Sequence, residues 1–267
     1  TAIALGRLNT PVQFFSGLSS DLFGDILRAE LAASHVDSSP AHIADRPTTL
    51  AFVTLTDGHA SYAFYDENTA GRMLQPADLP ETQADAVFFG GISLVVEPCA
   101  TAYAAFMGRV SDTAVTMIDP NIRPSFITDE AAYRARLTNM FASADIIKTS
   151  DEDLEWIRGG TDASALFEGT KVQVILLTRG SEGVTVLTRD GTADVPAKKA
   201  DVVDTVGAGD TFSAGFLANL HASGLLTKAA LPRAAMSDLT QAAAFGAKVA
   251  AITVSRAGAN PPWASEL

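Results

Sequence analysis

The sequence predicts an α/β fold, a mostly parallel sheet with helices on both faces, and three observations lead there. Beyond residue 85, short apolar runs alternate with helical patterns, and a polar turn follows each run. The runs are continuously apolar rather than alternating, as in strands covered on both sides. With 267 residues, 47% of them hydrophobic, the chain is long enough to close one large core.

Taken in order, Ala2, Ile3, Ala4, Leu5 and Leu8 mark an amphipathic helix with no strand before it. Val12-Gln13-Phe14-Phe15 reads as a short strand, and helix follows Ser20-Asp21-Leu22-Phe23-Gly24-Asp25 to about Ser34. Two β-rich runs, 49–55 and 61–65, flank Asp57-Gly58 and form the clearest hairpin signal, within a segment at about 47–66. Apolar residues lie on both its faces, Leu50 and Phe52 against Val53 and Leu55, so it needs cover or is an edge hairpin packed on its own domain. Strands then fall at 87–90, 115–118, 146–147 and 172–177, with helices at 97–109, at 129–141 and from Asp151. Runs 184–187 and 192–195 read as a terminal hairpin. Val202-Val203 leads into a Gly-Ala-Gly turn and a helix, and a long Ala-rich helix ends near Ile252. Without repeats or linkers, residues 1–267 are expected to form a single domain with the hairpin inserted in it.

A net charge of −12 argues against a general nucleic-acid or anionic-membrane surface. One cysteine, Cys99, excludes an intrachain disulfide or a cysteine-based metal cluster and reads as a small buried hydrophobe. His35, His42, His59 and His221 have no metal-ligand spacing. No run reaches the roughly 20 apolar residues that span a bilayer, and the expected setting is the cytoplasm.

The chemistry concentrates at Asp204-Thr205-Val206-Gly207-Ala208-Gly209-Asp210-Thr211-Phe212. Phe212, Phe216, Leu217 and Leu220 share one helical face, which puts the glycine turn at a helix start. Glycines there let consecutive N–H groups converge at the positive end of the helix dipole, an anion site suited to phosphate. Asp210 is then either a dipole-complementing cap or a base for a hydroxyl that attacks a phosphorus held on those amides.

This run resembles the D-T-x-G-A-G-D signature of the PfkB, or ribokinase-like, carbohydrate kinases, and the resemblance continues in register along virtually the whole chain. It implies a ribokinase-like fold in which the hairpin is a small β lid over the sugar and a surface for homodimer formation. It also places a strand, a Gly-Gly/Asn motif and a sugar-binding Asp ahead of Thr1, so the numbered chain is expected to lack its amino-terminal strand. Asp210 becomes the base, and Gly207, Ala208 and Gly209 the anion hole. Asp119-Pro120-Asn121-Ile122-Arg123 matches D-P-N-x-R, placing Asp119, Asn121 and Arg123, with Gly91, at phosphate or sugar. Read alone, that segment is an Asx turn with a surface Arg. Thr178-Arg179-Gly180-Ser181-Glu182-Gly183 is similar to the family's nucleotide loop, which assigns Thr178, Gly180 and Gly183, together with Lys148 and Ala247, to ATP, although Ala247 stands where many relatives have Asn. Asp153 ends a K-x-S-x-x-E-like motif, with Asp in place of Glu, and is a candidate for Mg²⁺ through water; a plain Ser N-cap with acids in the first turn explains the same letters. Asp204 is placed near a monovalent cation such as K⁺.

The resemblance therefore implies an ATP-dependent sugar kinase using ATP and Mg²⁺. Phe89-Gly90-Gly91-Ile92-Ser93-Leu94, the Asp119 segment and Lys148-Thr149-Ser150 look most like fructokinases. A 2-keto-3-deoxygluconate kinase, wanting an extra cation such as Arg72, and a ribokinase or nucleoside kinase are the alternatives. A non-catalytic sugar- or nucleotide-binding protein on the same scaffold is the reading from another class.

Overall fold

The structure, a computed structural model, describes residues 1–56 and 59–267, and the side chains of these other than 53–56 and 59–62. The chain begins with α1 (Ala2–Arg7), β1 (Gly17–Ser19), α2 (Leu22–Ala33) and β2 (His42–Ala44), followed by β3 (Leu50–Thr56) and β4 (His59–Tyr65). Four parallel strands come next, β5 (Ala86–Gly90), β6 (Val115–Asp119), β7 (Ile146–Ser150) and β8 (Val174–Thr178), with α3 (Cys99–Val110), α4 (Glu130–Ser143) and α5 (Asp151–Arg158) in the crossovers. The antiparallel strands β9 (Val184–Thr188) and β10 (Gly191–Val195) complete a six-stranded sheet whose spatial order runs from β5 to β10. Helices α6 (Ala208–Ala222) and α7 (Met236–Val254) close the chain.

Strand residues pointing to opposite faces feed two separate cores. Ile118, Ile147 and Ile175 pack under α3 to α5, whereas Val115, Met117, Ile146, Val174 and Leu176 pack under α1, α6 and α7. All five residues of β6 are buried, which explains why the run carries no polar alternation. The face Phe212, Phe216, Leu217 and Leu220 is buried as its spacing requires. Helices α6 and α7 approach closely at Gly215 and Gly246, where a Cβ on Gly215 would lie 2.7 Å from the Gly246 Cα.

One expected strand is corrected. Residues 12–15 form a single parallel bridge, Gln13 to Asp37, because Phe14 and Phe15 turn into different clusters and the strand ladder starts only at Gly17. Val202 and Val203 join no sheet; both are exposed, and the Val203 amide donates to the Val254 carbonyl at the end of α7.

The hairpin is present as an antiparallel pair from Leu50 opposite Tyr65 to Thr56 opposite His59, and its expected turn, Asp57-Gly58, lies outside the described residues. It forms a sheet of its own. Asp21 caps α2 through the Gly24 amide and also accepts from the Thr48 amide and hydroxyl at 2.8 and 2.6 Å, which fastens the entering leg. Arg72 fastens the leaving leg, reaching Asp66 at 3.1 Å and the Glu97 carbonyl at 3.2 Å. Phe64 of β4 meets Phe126 edge-on, with centroids 4.6 Å apart. At the opposite end of the sheet, buried Asp145 accepts from Lys228 at 2.6 and 2.8 Å and from the Thr116 amide at 2.7 Å. Among the described residues no helix is long and apolar enough to cross a membrane.

Candidate active site

Ligand sites of open α/β sheets lie beyond the carboxyl ends of the strands. Here Gly91, Asp119 to Arg123, the Ser150 cap and Thr178 all leave the sheet at that edge, and the tip of α6 meets them there. Gly207 caps α6 with φ +80, and a Cβ on it would come within 2.8 Å of the Ala259 Cβ, so both backbone and space require glycine. The cradle differs from the expected trio. The Ala208 amide is spent on the Thr205 carbonyl at 3.2 Å because the chain turns tightly there; among the described residues the amides of Gly207, Gly209 and Asp210 meet no acceptor. These three are the donors open to an anion.

The Asp210 side chain is 52% exposed and accepts from the Thr1 hydroxyl at 2.7 Å. Burial acts to raise its pKa, while the bond from the Thr1 hydroxyl and the charge of Lys148 act to lower it. The carboxylate is open to solvent and is no closed packing group.

Beneath the tip, Lys148 and Asp119 form a buried ion pair of 2.9 Å, with 5% and 6% of their side chains exposed. Asp119 Oδ1 finds no partner among the described residues. Burial pushes its pKa up, Asp153 and Asp210 add to that, and Lys148 opposes it. A Cβ on Gly209 would lie 3.0 Å from the Lys148 Nζ, so the lysine fills the space this glycine leaves.

Asp153 is buried at the start of α5, where the Ser150 hydroxyl caps its amide, and its Oδ1 accepts from the Ile122 amide at 2.9 Å. It therefore anchors the 119–123 loop, in which Asn121 takes a φ of +43, and its Oδ2 accepts from no described residue. A carboxylate with one free oxygen suits an ion held through water, although no group of three His, Cys, Asp or Glu among the described residues could hold a metal directly. Arg123 is exposed and turns its guanidinium onto the Ile122 carbonyl at 2.9 Å. Both oxygens of Asp204 are engaged, by the Val206 amide at 3.0 Å and the Gly258 amide at 2.9 Å, so it ties the signature to the 256–259 loop. Thr178 donates to the Thr149 carbonyl at 3.3 Å. Gly180 and Gly183 turn β8 into β9 at φ +49 and +105, and a Cβ on Gly183 would strike the Val195 carbonyl. Ala247 is buried on α7, next to the Gly246 that touches Phe212.

A cavity of about 250 Å³ opens between β1, the hairpin and Ile92-Ser93, with Ser16, Ser19, Thr49, Asp66, Arg72 and Ser93 among its polar walls. Sequence reasoning missed Thr1, which lies 209 positions from the carboxylate it meets and carries no motif. It also missed the pairing of Lys148 with Asp119, for which the adjacent strand ends were the available signal.

The family model for pfkB family carbohydrate kinases matches residues 1–266. The chain belongs to that family. Among relatives of this kinase is a fructokinase of Rhizobium leguminosarum bv. trifolii, 51% identical over 85% of this chain and 72% of its own length. Among solved structures, a fructokinase from Xylella fastidiosa with bound ATP superposes with a TM-score of 0.89 at 28% identity, over 97% of this chain and 83% of its own. A fructokinase from Vibrio cholerae O395 in a fructose-, ADP- and calcium-bound form matches at 0.84 and 24% identity, over 97% and 84%, and shares the fold. The pfkB kinase is thus an ATP-dependent, fructokinase-like phosphotransferase acting on a sugar hydroxyl, with the ribokinase-like architecture its sequence implies.

Proposed function

We propose that the substrate is fructose and that Asp210 takes the proton from the hydroxyl that attacks the γ-phosphorus of ATP. The observation that carries this is the half-exposed Asp210 carboxylate beside three amides at the tip of α6 that meet no acceptor among the described residues. In this mechanism Asp210 hydrogen-bonds the attacking hydroxyl, and the amides of Gly207, Gly209 and Asp210 stabilise the charge that develops on the transferred phosphoryl group. The hairpin covers the sugar and keeps out competing water. Mg²⁺, when bound, neutralises charge between the phosphates, and Asp153 Oδ2 is the group suited to hold its water shell. We assign Thr178, Gly180, Gly183 and Ala247 to the ATP side, and Asp119, Asn121, Arg123 and Gly91 to phosphate or sugar. K⁺ would be framed by backbone carbonyls near Arg256 and Gly258, with Asp204 holding that loop in place.

The neutral sugar is favoured over 2-keto-3-deoxygluconate because Arg72, a cation in the wall of the cavity beside the hairpin, is already committed to Asp66 and the Glu97 carbonyl. Exposed Phe52 and Tyr65 on the hairpin support a homodimer through it, and the buried free Cys99 suits the reducing cytoplasm.

Steady-state ADP release with fructose, ribose and 2-keto-3-deoxygluconate tests the substrate, and Asp210→Asn tests the base. The variant is expected to retain its fold and lose kcat by roughly 10²–10⁴-fold, the range for removing a positioned base. Unchanged turnover in the variant would exclude Asp210 as the base, whereas a parent protein that releases no ADP with any sugar would favour the non-catalytic reading.

A further inference from the structure

We infer that Lys148 acts from beneath the anion hole, as a buried positive charge that strengthens the α6 tip toward the transferred phosphoryl group without being an outward-facing ligand of ATP. The proposal rests on the kinase reading above and assigns that site its electrostatic floor.

The geometry has three parts. Lys148 leaves β7 as one of the last residues before the site edge, and its side chain is almost fully enclosed. Its Nζ lies 3.0 Å from where a Gly209 Cβ would stand, against the residue that bears one of the three unpaired amides. Its counter-charge, Asp119, contacts it through Oδ2, and Oδ1 has no partner among the described residues. A fully neutralised pair would exert little field outside itself. Here one side of the ammonium meets Asp119 Oδ2 and another lies against Gly209 of the α6 tip. In a site shielded from water, a fixed charge placed before the reaction stabilises developing negative charge without reorganisation. Gly209 then has a second reason to be glycine besides amide convergence, since a methyl group would displace the ammonium.

Lys148→Met removes the charge and keeps the bulk. Two probes separate an electrostatic role from a packing role, ADP alone and ADP with aluminium fluoride, which imitates the transferring phosphoryl group. The expected result is a kcat lower by about 10- to 100-fold, in the range found for loss of one oxyanion-hole donor or somewhat less. Affinity for the ADP–aluminium fluoride complex should fall by a similar factor, with ADP affinity within about threefold of the parent. Because Lys148→Met leaves a buried acid unpaired and can unfold the protein, Asp119→Asn/Lys148→Met carries the same comparison in a neutral background. Equal weakening of both probes, or no weakening of either, overturns the proposal. A parent protein that releases no ADP with any sugar overturns the kinase reading, while the comparison of the two probes still reports on Lys148.

Discussion

Gly246→Ala should disturb catalysis from the far side of the helix that carries the proposed base. A Cβ at this position would stand 2.6 Å from the Phe212 carbonyl oxygen and 3.0 Å from its ring, whereas ordinary contacts begin at 3.4 Å. Relief requires α6 and α7 to part by on the order of 1 Å, since a packed interior has no void to absorb the methyl group. Overpacking of this kind costs about 1–3 kcal/mol. The better helix propensity of alanine returns at most about 1 kcal/mol, leaving a net loss of up to about 2 kcal/mol. Function should suffer more than stability. Phe212 lies two residues beyond Asp210, and Ala247 is the next residue on α7, so parting the helices moves the proposed base and the proposed ATP side relative to each other. A misplacement near 1 Å can cost about 100-fold in rate, and a loss of roughly 10- to 100-fold in kcat/KM for ATP is expected. Thermal unfolding and ADP-release kinetics on the same sample measure both. A Gly246→Ala protein with higher melting temperature and parental kcat/KM would show that propensity alone operates and that the close approach positions nothing.

Lys228→Met should behave in the opposite way. It strands buried Asp145 at the end of the sheet away from the site, so a loss of about 3–5 kcal/mol in urea unfolding is expected with kcat unchanged, and Asp145→Asn/Lys228→Met should recover most of it. Acid sensitivity should reside partly in Asp21, whose bonds from the Thr48 hydroxyl and the Gly24 amide hold its carboxyl well below the usual 3.8. A carboxyl with a depressed folded pKa contributes its stability above the unfolded value and loses it as pH falls below about 3.8 toward the folded one. Asp21→Asn should therefore flatten the loss of melting temperature on acidification in that window, and an unchanged slope would refute the role.

Much of the fold was legible because β6, β7 and β8 are buried on both faces, and such strands leave continuous apolar runs that need no tertiary information to detect. The glycine turn at the start of α6 was legible because Gly207 and Gly209 are required by the backbone and by the close approach of Ala259 and Lys148, which local sequence records. Details set by distant contacts were not. Ala208 looked equivalent to its neighbours, yet its amide is taken by Thr205; Val12 to Phe15 had strand character but only one partner bridge; Thr1 reaches Asp210 solely through the docking of α1 on α6. Asp153 was read toward a metal from its place in a K-x-S-x-x-E-like motif, and its bond to the Ile122 amide follows from where β6 ends beside α5.

The order of strands β5 to β10 in space is also their order in the chain. Each new strand therefore closes only a modest loop onto the one before it, and this half of the molecule can grow along the nascent chain with little entropic penalty. The helix bearing Asp210 pairs with α7, which follows it, but the tip that carries Asp210 must also find a completed sheet, the buried lysine and α1 at once. Catalytic competence should consequently be the last property acquired in refolding, appearing after most of the secondary structure has formed.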